Sequence, residues 1–332
     1  MTACWMKGDL HVHSALDSDG FLPIEEIVRR SRPFCDFLAI SGHALQSDEW
    51  GGDQYRDVLA ARKKYPDTFL FHLAEWEFPI PRHVIAFTTP DWREFELQRE
   101  VVRQFDRKRD VIGRAKALEA LRYIETHWPD QALMIFNHPN SPAVPFEDLE
   151  ALAASPVFKI LACYDRGERR APQTWEVGAE WDRLLCLGHR IWTRFGSDFH
   201  RHFEDGHTDY YPGEFVQDHL WVQERSYRGI YNAYRDGAFF CTVDNLVSRL
   251  TLVRVDQRLR VAFQCGEPVE KFEVIGDGKI LMTVTNIDEH FDRELDVPPA
   301  GYYRLRGHGY EKKRRYTDGT YVPVFLGNPL FV

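Results

Sequence analysis

Two kinds of hydrophobic patterning divide this chain. Up to about residue 244, short and nearly continuous apolar runs alternate with longer amphipathic stretches. The runs include Phe37-Leu38-Ala39-Ile40-Ser41, residues 69–74 and His83-Val84-Ile85-Ala86-Phe87. Leu133-Met134-Ile135-Phe136, residues 158–162 and residues 191–195 follow. Runs this short with little alternation are what parallel strands buried on both faces produce. Between them, Pro23-Ile24-Glu25-Glu26-Ile27-Val28 puts proline near a helix start and carboxylates in its first turn. Ala117, Leu118, Leu121 and Ile124 stand at helical spacing within 113–127, and Pro129 ends that helix. The alternation predicts parallel βα units, closed into a barrel or open and doubly wound. Residues 93–110, dense in both signs of charge, read as a solvated helix or excursion.

From about Ser248 the period changes to two. Leu250, Leu252, Val253 and Val255, then Leu259, Val261 and Phe263, alternate with polar residues. Asp277-Gly278 and Asp318-Gly319 are good hairpin turns. The expected division is an α/β unit over 1–245 and a small antiparallel β-sandwich over 246–332. A length of 332 residues fits two domains at roughly 150 residues each.

Composition narrows the setting. Charged residues make up 28% and hydrophobic ones 44%, as in an ordered globular chain. No apolar run approaches the roughly 18–20 residues that span a bilayer, so no membrane partner is expected. The opening MTACWMKGDL is too short and too polar for a secretory signal. Six scattered cysteines without a Cys-x-x-Cys pair suggest reduced thiols and a cytoplasmic location. Lysine and arginine number 42 against 51 acidic residues, a formal charge of −9, which disfavours a nucleic-acid partner.

The chemistry sits where apolar runs end. Gly8-Asp9-Leu10-His11-Val12-His13-Ser14 follows the first short run, and in extended chain His11 and His13 project to one side. Ser41-Gly42-His43, Leu73-Ala74-Glu75, His83, Asn137-His138-Pro139 and Gly196-Ser197-Asp198-Phe199-His200 occupy corresponding places, and Asp19 lies in the turn after the first pair. Six histidines and three carboxylates suit zinc, manganese or iron, and nine ligands exceed the needs of one ion. Two to three divalent ions are expected. His72, His127, His189, His202, His207 and His219 are read instead as solvated or core histidines, with a solvated loop the default for His202 and His207.

Taken in order, these motifs resemble the PHP (polymerase and histidinol phosphatase) superfamily of metallohydrolases across essentially the whole chain. Ala74-Glu75-Trp76 followed by His83, with the β-rich tail ending Gly327-Asn328-Pro329-Leu330-Phe331-Val332, is similar to its carbaryl-hydrolase-like branch. The resemblance implies a distorted (βα)7 TIM-like barrel with a trinuclear centre. It implies His11, His13, Glu75 and Asp198 on the first metal, with Glu75 bridging to a second held by His83 and His138. Asp19, His43 and His200 would hold the third. Three departures stand out. Gly42 replaces a usual aspartate that would hold His43 from behind. The turn bearing Asp19 is one residue longer, which leaves Asp17 as a competing ligand. Glu77 lies on the same strand face as Glu75 and competes with it.

The activity this implies is hydrolysis of a small ester, most readily a phosphoester, by a hydroxide bridging the metals. A carbamate or aryl ester is the close alternative, and a non-catalytic metal-binding scaffold the alternative of another class. Glu75, Asp198 and His200 would serve catalysis through the metals. Arg166 and Arg201, with Asp165 and Arg82, are candidates for orienting substrate, with surface ion pairs as the competing fate. Trp76, Trp92 and Tyr164 would either line an aromatic pocket or pack in the core. The oligomeric state stays open.

Overall fold

The computed structural model describes residues 2–16, 18–44, 52–138, 144–164, 178–202, 210–313, 315 and 319–332. Asp17, Pro139, Asp165, Arg166, His207 and Asp318 lie outside the described residues, as do the side chains of Cys163 and Tyr164. The chain begins β1 (Cys4–Asp9), α1 (Ile24–Ser31), β2 (Phe37–Ile40), α2 (Gly52–Lys64), β3 (Phe69–His72), β4 (Glu75–Glu77) and β5 (His83–Thr88). It continues α3 (Glu94–Phe105), α4 (Arg114–His127), β6 (Ala132–Phe136), α5 (Phe146–Ala153), β7 (Phe158–Tyr164), α6 (Gly178–Cys186) and β8 (Trp192–Phe195). Next come β9 (Val216–Val222), α7 (Tyr227–Asp236), β10 (Phe239–Val243), β11 (Val247–Val255), β12 (Arg258–Cys265) and β13 (Val269–Gly276). The last strands are β14 (Lys279–Ile287), β15 (His290–Leu295), β16 (Tyr302–Gly309), β17 (Lys312–Lys313), β18 (Thr320–Tyr321) and β19 (Val324–Phe331).

Two helices form where the spacing predicts them. On α1, Ile24, Ile27, Val28 and Ser31 turn inward while Glu25, Glu26, Arg29 and Arg30 complement the helix ends. On α4, Ala117, Ala120, Leu121 and Ile124 are buried, and Trp128 closes the helix before Pro129. The charged stretch at 93–110 is α3 and a short 3-10 turn, and α3 is amphipathic rather than fully solvated, burying Leu97, Val101, Val102 and Phe105. No helix among the described residues is long and apolar enough to cross a membrane.

The strands make a mixed α/β architecture of two large sheets. A nine-stranded sheet runs β14-β13-β16-β19-β10-β9-β1-β2-β3, and a five-stranded sheet runs β4-β5-β6-β7-β8. Pairing is parallel within β1-β2-β3 and β6-β7-β8, as the apolar runs predict. It is antiparallel on both sides of β5. The reason is local: β4 and β5 are joined by a tight reversal in which Phe78 N donates to Arg82 O, too short for a parallel crossover. The tail also differs from a free-standing sandwich. Its β13, β14, β16 and β19 extend the nine-stranded sheet through the β19–β10 pairing, while β11-β12-β15 form a separate sheet. Phe263, Phe272, Phe291 and Phe325 fill the core beneath both.

The two large sheets meet through isolated bridges, His43↔Glu75 at one junction and Val12↔Phe199 at the other. Both junctions lie at strand ends that carry the candidate ligands. Function at those positions therefore depends on how two sheets are held together.

Candidate metal centre

All nine candidate ligands meet in one place. His11 Nε2 lies 3.1 Å from Glu75 Oε1, 3.2 Å from Asp198 Oδ1 and 3.3 Å from His13 Nε2. His13 Nε2 is 3.1 Å from Asp198 Oδ1, and its Nδ1 is 3.1 Å from Asp19 Oδ1. His43 Nδ1 approaches Glu75 Oε2 at 3.3 Å, and His83 Nδ1 and His138 Nε2 approach Glu75 Oε1 at 3.4 and 3.1 Å. His200 Nε2 stands 3.3 Å from Asp19 Oδ1. His11, His13, Glu75 and Asp198 are buried, Asp19 is exposed, and His43 and His83 are partly open, so the cluster has a closed floor and an accessible rim.

The strands explain this convergence. His11 and His13 follow β1 at a spacing of two, Glu75 opens β4, His83 opens β5, and Asp198 and His200 follow β8 at the same spacing. His138 and Asp198 adopt left-handed backbone conformations, with φ of 52° and 49°. Asp tolerates that region better than most residues, but non-glycine residues there concentrate at functional sites. Trp76, on the strand face opposite Glu75, is buried against Phe78 in the core. Glu77 lies away from the cluster beside Lys108, at 3.8 Å. Trp92 is largely exposed.

Three overlapping groups each bring their donor atoms within 4.8 Å of one another: His11, His13, Glu75 and Asp198; His13, Asp19, His43 and His200; and His43, Glu75 and His83. The donors fit cations better than they fit one another. A ring nitrogen carries at most one proton, yet His11 Nε2 faces two carboxylate oxygens and a second ring nitrogen. Glu75 Oε2 and His83 Nδ1 are buried without a hydrogen bond. Burial would raise the Glu75 and Asp198 carboxyls, but the histidines around them hold both well below the usual carboxylate range. Burial would lower His13, but Asp19, Asp198 and Glu75 push it well above its ordinary value. His43 is lowered to about 4, chiefly by burial.

Several supporting residues carry no obvious motif. Asn137 Nδ2 donates to Glu75 Oε1 at 2.9 Å, fixing the carboxylate from the residue beside His138. Ser18 Oγ accepts from His43 N at 2.9 Å and lies 3.1 Å from His13 Nδ1 and 3.3 Å from Asp19 Oδ1. It also accounts for Gly42. A Cβ on residue 42 would lie 2.5 Å from Ser18 Cβ and 2.6 Å from its Oγ. Ser18 thus fills the space that a side chain at residue 42 would need. Gly42→Ala is expected to weaken Mn2+ binding roughly tenfold, at the low end of outer-partner losses. Adding Ser18→Gly should then cost no more than Ser18→Gly alone, because the clash is gone. Additive losses in Mn2+ titrations of the three variants would show the contact to be irrelevant.

Arg201 follows His200, and its guanidinium lies 4.5 Å from the centroid of the exposed Phe21 ring. Arg82, partly exposed, donates to the Pro81 carbonyl. Three histidines read as solvated or core residues resolve as buried. His72 packs at an angle against the stacked Tyr55 and Phe95 rings, and His219 stacks on Phe240. His202, expected in a solvated loop, is buried instead, with Nε2 3.2 Å from Glu214 Oε2 and its ring stacked on Tyr211. Aromatic rings from neighbouring elements cover all three, and for His202 the Glu214 carboxylate supplies a polar partner as well.

The fold and the cluster together define a mixed α/β protein with a histidine–carboxylate centre at its sheet junctions. No family model matches the sequence, and no curated protein does. Among solved structures, the chain is similar to a two-domain protein from Bacteroides vulgatus containing a predicted PHP-like metal-dependent phosphoesterase. Identity is 15%, coverage is 96% of this chain and 95% of that one, and the TM-score is 0.50. PsfC from Pseudomonas syringae matches at 14% identity over 70% of this chain and 89% of its own, with a TM-score of 0.46. The lesion-specific endonuclease PfuEndoQ from Pyrococcus furiosus matches at 12% identity over 70% of this chain and 56% of its own, with a TM-score of 0.45. The first of these shows a shared fold over nearly the whole chain.

Proposed function

We propose that this chain is a metal-dependent hydrolase of a small ester, with a phosphoester as the leading substrate class. The observation that carries the reading is the meeting of His11, His13, Glu75 and Asp198 donors within 4.8 Å, flanked by two groups that share His13 and Glu75 with it and His43 with each other. In this reading the barrel-like arrangement of the PHP fold places the strand ends around a common mouth. His11, His13, Glu75 and Asp198 would hold one ion, Glu75 with His83 and His138 a second, and Asp19, His43 and His200 a third. Zinc, manganese and iron all suit such donors.

When bound, divalent ions of this kind lower the pKa of water from 15.7 toward about 7 and offset charge that develops on the substrate. The chain's own contribution is positional. Asn137 fixes Glu75, Ser18 fixes His43 and His13, and the buried floor keeps bulk water from one side of the reacting centre. Arg201, the residue after His200, is the first candidate to orient an anionic group. Arg166 is retained as a second candidate in the segment after β7.

The phosphoester reading is favoured over the carbamate reading because Trp76, the aromatic residue beside Glu75, belongs to the core and not to the mouth of the site. The test is turnover by the full-length protein supplied with Mn2+ or Zn2+, using p-nitrophenyl phosphate, its bis ester, 1-naphthyl N-methylcarbamate and a DNA duplex. Cleavage of a small phosphoester is expected. Turnover of the carbamate alone would select the carbaryl-hydrolase-like branch, cleavage of the duplex alone would select a nuclease, and metal binding without turnover would select a scaffold.

A further inference from the structure

β8 is the terminal strand of the five-stranded sheet, and its outer edge faces the nine-stranded sheet without a ladder between them. Alternate amides along that edge find side chains instead. Thr193 N donates to Asn328 Oδ1 at 2.7 Å, Phe195 N to Asp218 Oδ1 at 3.0 Å, and Ser197 N to Asp9 Oδ2 at 3.0 Å. The spacing of two is that of a strand, and the acceptors stand on β19, β9 and β1. Buried amides need partners, so an apolar seam would not serve here.

Two carboxylates in one dry seam require a cation. Arg194, fully buried in the middle of β8, donates from Nη2 to Asp9 Oδ1 at 3.1 Å and from Nε to Asp218 Oδ2 at 3.0 Å. Tyr234 Oη donates to Asp218 Oδ2 at 2.7 Å. Burial pushes both carboxyls up, Asp218 to about 6, and Arg194 opposes it. Asp9 Oδ1 also accepts from His11 N at 2.9 Å. One carboxylate therefore grips the backbone of His11 on one sheet and of Ser197, the neighbour of Asp198, on the other.

We propose that Asp9, held by Arg194, which is itself anchored on Asp218, is a positioning element that sets the spacing of His11 and Asp198 across the seam, and so the affinity of the cation these two ligands share. The proposal rests on the ligand assignment made above. Its residues touch no substrate. They act through the backbone of two ligand-bearing segments.

The test is Mn2+ binding by full-length protein stripped with a chelator, measured by titration calorimetry alongside thermal melting. Arg194→Met and Asp218→Asn are expected to raise the dissociation constant of the tightest Mn2+ site roughly 10- to 100-fold, the range of outer-partner losses at metal sites. Arg194→Lys should recover part of this, since lysine restores the charge but not the two-pronged geometry. Arg304→Met breaks another buried pair, Arg304–Asp182, whose partners include no candidate ligand. It should lower the melting temperature while leaving Mn2+ affinity within about twofold of wild type. If Arg194→Met does not fold, Asp9→Asn keeps the volume and one acceptor oxygen and carries the same comparison. Wild-type-like Mn2+ affinity in the seam variants would overturn the proposal and leave the ligand assignment standing, as would an equal loss in Arg304→Met. A wild-type protein that binds no Mn2+ would overturn both.

Discussion

His11→Ala and Asp198→Ala should each reduce ester turnover by more than about 10³-fold, beyond the roughly 10- to 100-fold that loss of an outer partner costs. Both side chains are buried, and they approach each other at 3.2 Å with Glu75 and His13 beside them. Removing either takes away a donor around which the rest of the group is built, and alanine offers no replacement. The fold should survive, because the cores that hold the sheets, such as those around Phe136, Leu161 and Trp181, are separate from these side chains. Steady-state kinetics with far-ultraviolet circular dichroism checks both halves. Near-native turnover in either variant would mean that the cluster is not the reacting centre.

Arg304→Met should cost about 3 kcal/mol of stability, because it takes the guanidinium from the Asp182 carboxylate and with it two of the three hydrogen bonds that Arg304 and Tyr302 donate there. Arg304 on β16 is buried and donates from Nε and Nη2 to Asp182 on α6 at 2.7 and 2.6 Å, with Tyr302 Oη adding a third bond at 2.7 Å. Its guanidinium also lies 4.7 Å from the centroid of the Trp181 ring. The pair joins a helix of the first part of the chain to a strand of the last. A denaturant midpoint shift without a change of slope would report the loss, and a cost below about 1 kcal/mol would show the pair to be replaceable. Turnover at saturating metal should change little.

The candidate site was legible because strands impose a period of two. His11 with His13, and Asp198 with His200, sit at that spacing just beyond apolar runs, so their types and places could be read without any contact map. The helices at 24–31 and 114–127 were legible for the same kind of reason, a 3.6-residue stripe with suitable ends. Strand direction was not. Val84, Ile85 and Ala86 look like any buried parallel strand, and only the reversal between Phe78 and Arg82 makes β5 antiparallel. Nor was the continuation of one sheet from β10 into β19, because a ladder partner some 85 residues away leaves no trace in either strand, as Cys241 opposite Leu326 shows.

Supporting residues were the least visible. Ser18 is a turn serine by any local criterion, and its role appears only when residue 42 is brought against it. Arg194 did carry a signal, a charge inside an otherwise apolar strand, which is costly unless partners are waiting. Those partners, Asp9 and Asp218, lie 185 and 24 residues away in sequence. Patterns of one strand can announce a ligand, but the residues that aim it come from wherever the fold returns.

The most direct measurement is anomalous scattering at metal absorption edges from crystals of the full-length protein grown with Mn2+ or Zn2+. Two or three peaks are expected among the nine donors, one of them bonded to His11, His13, Glu75 and Asp198 at about 2.0–2.2 Å for zinc. Crystals without a peak between those four side chains, with the imidazoles and carboxylates bonded only to one another, would contradict the ligand assignment.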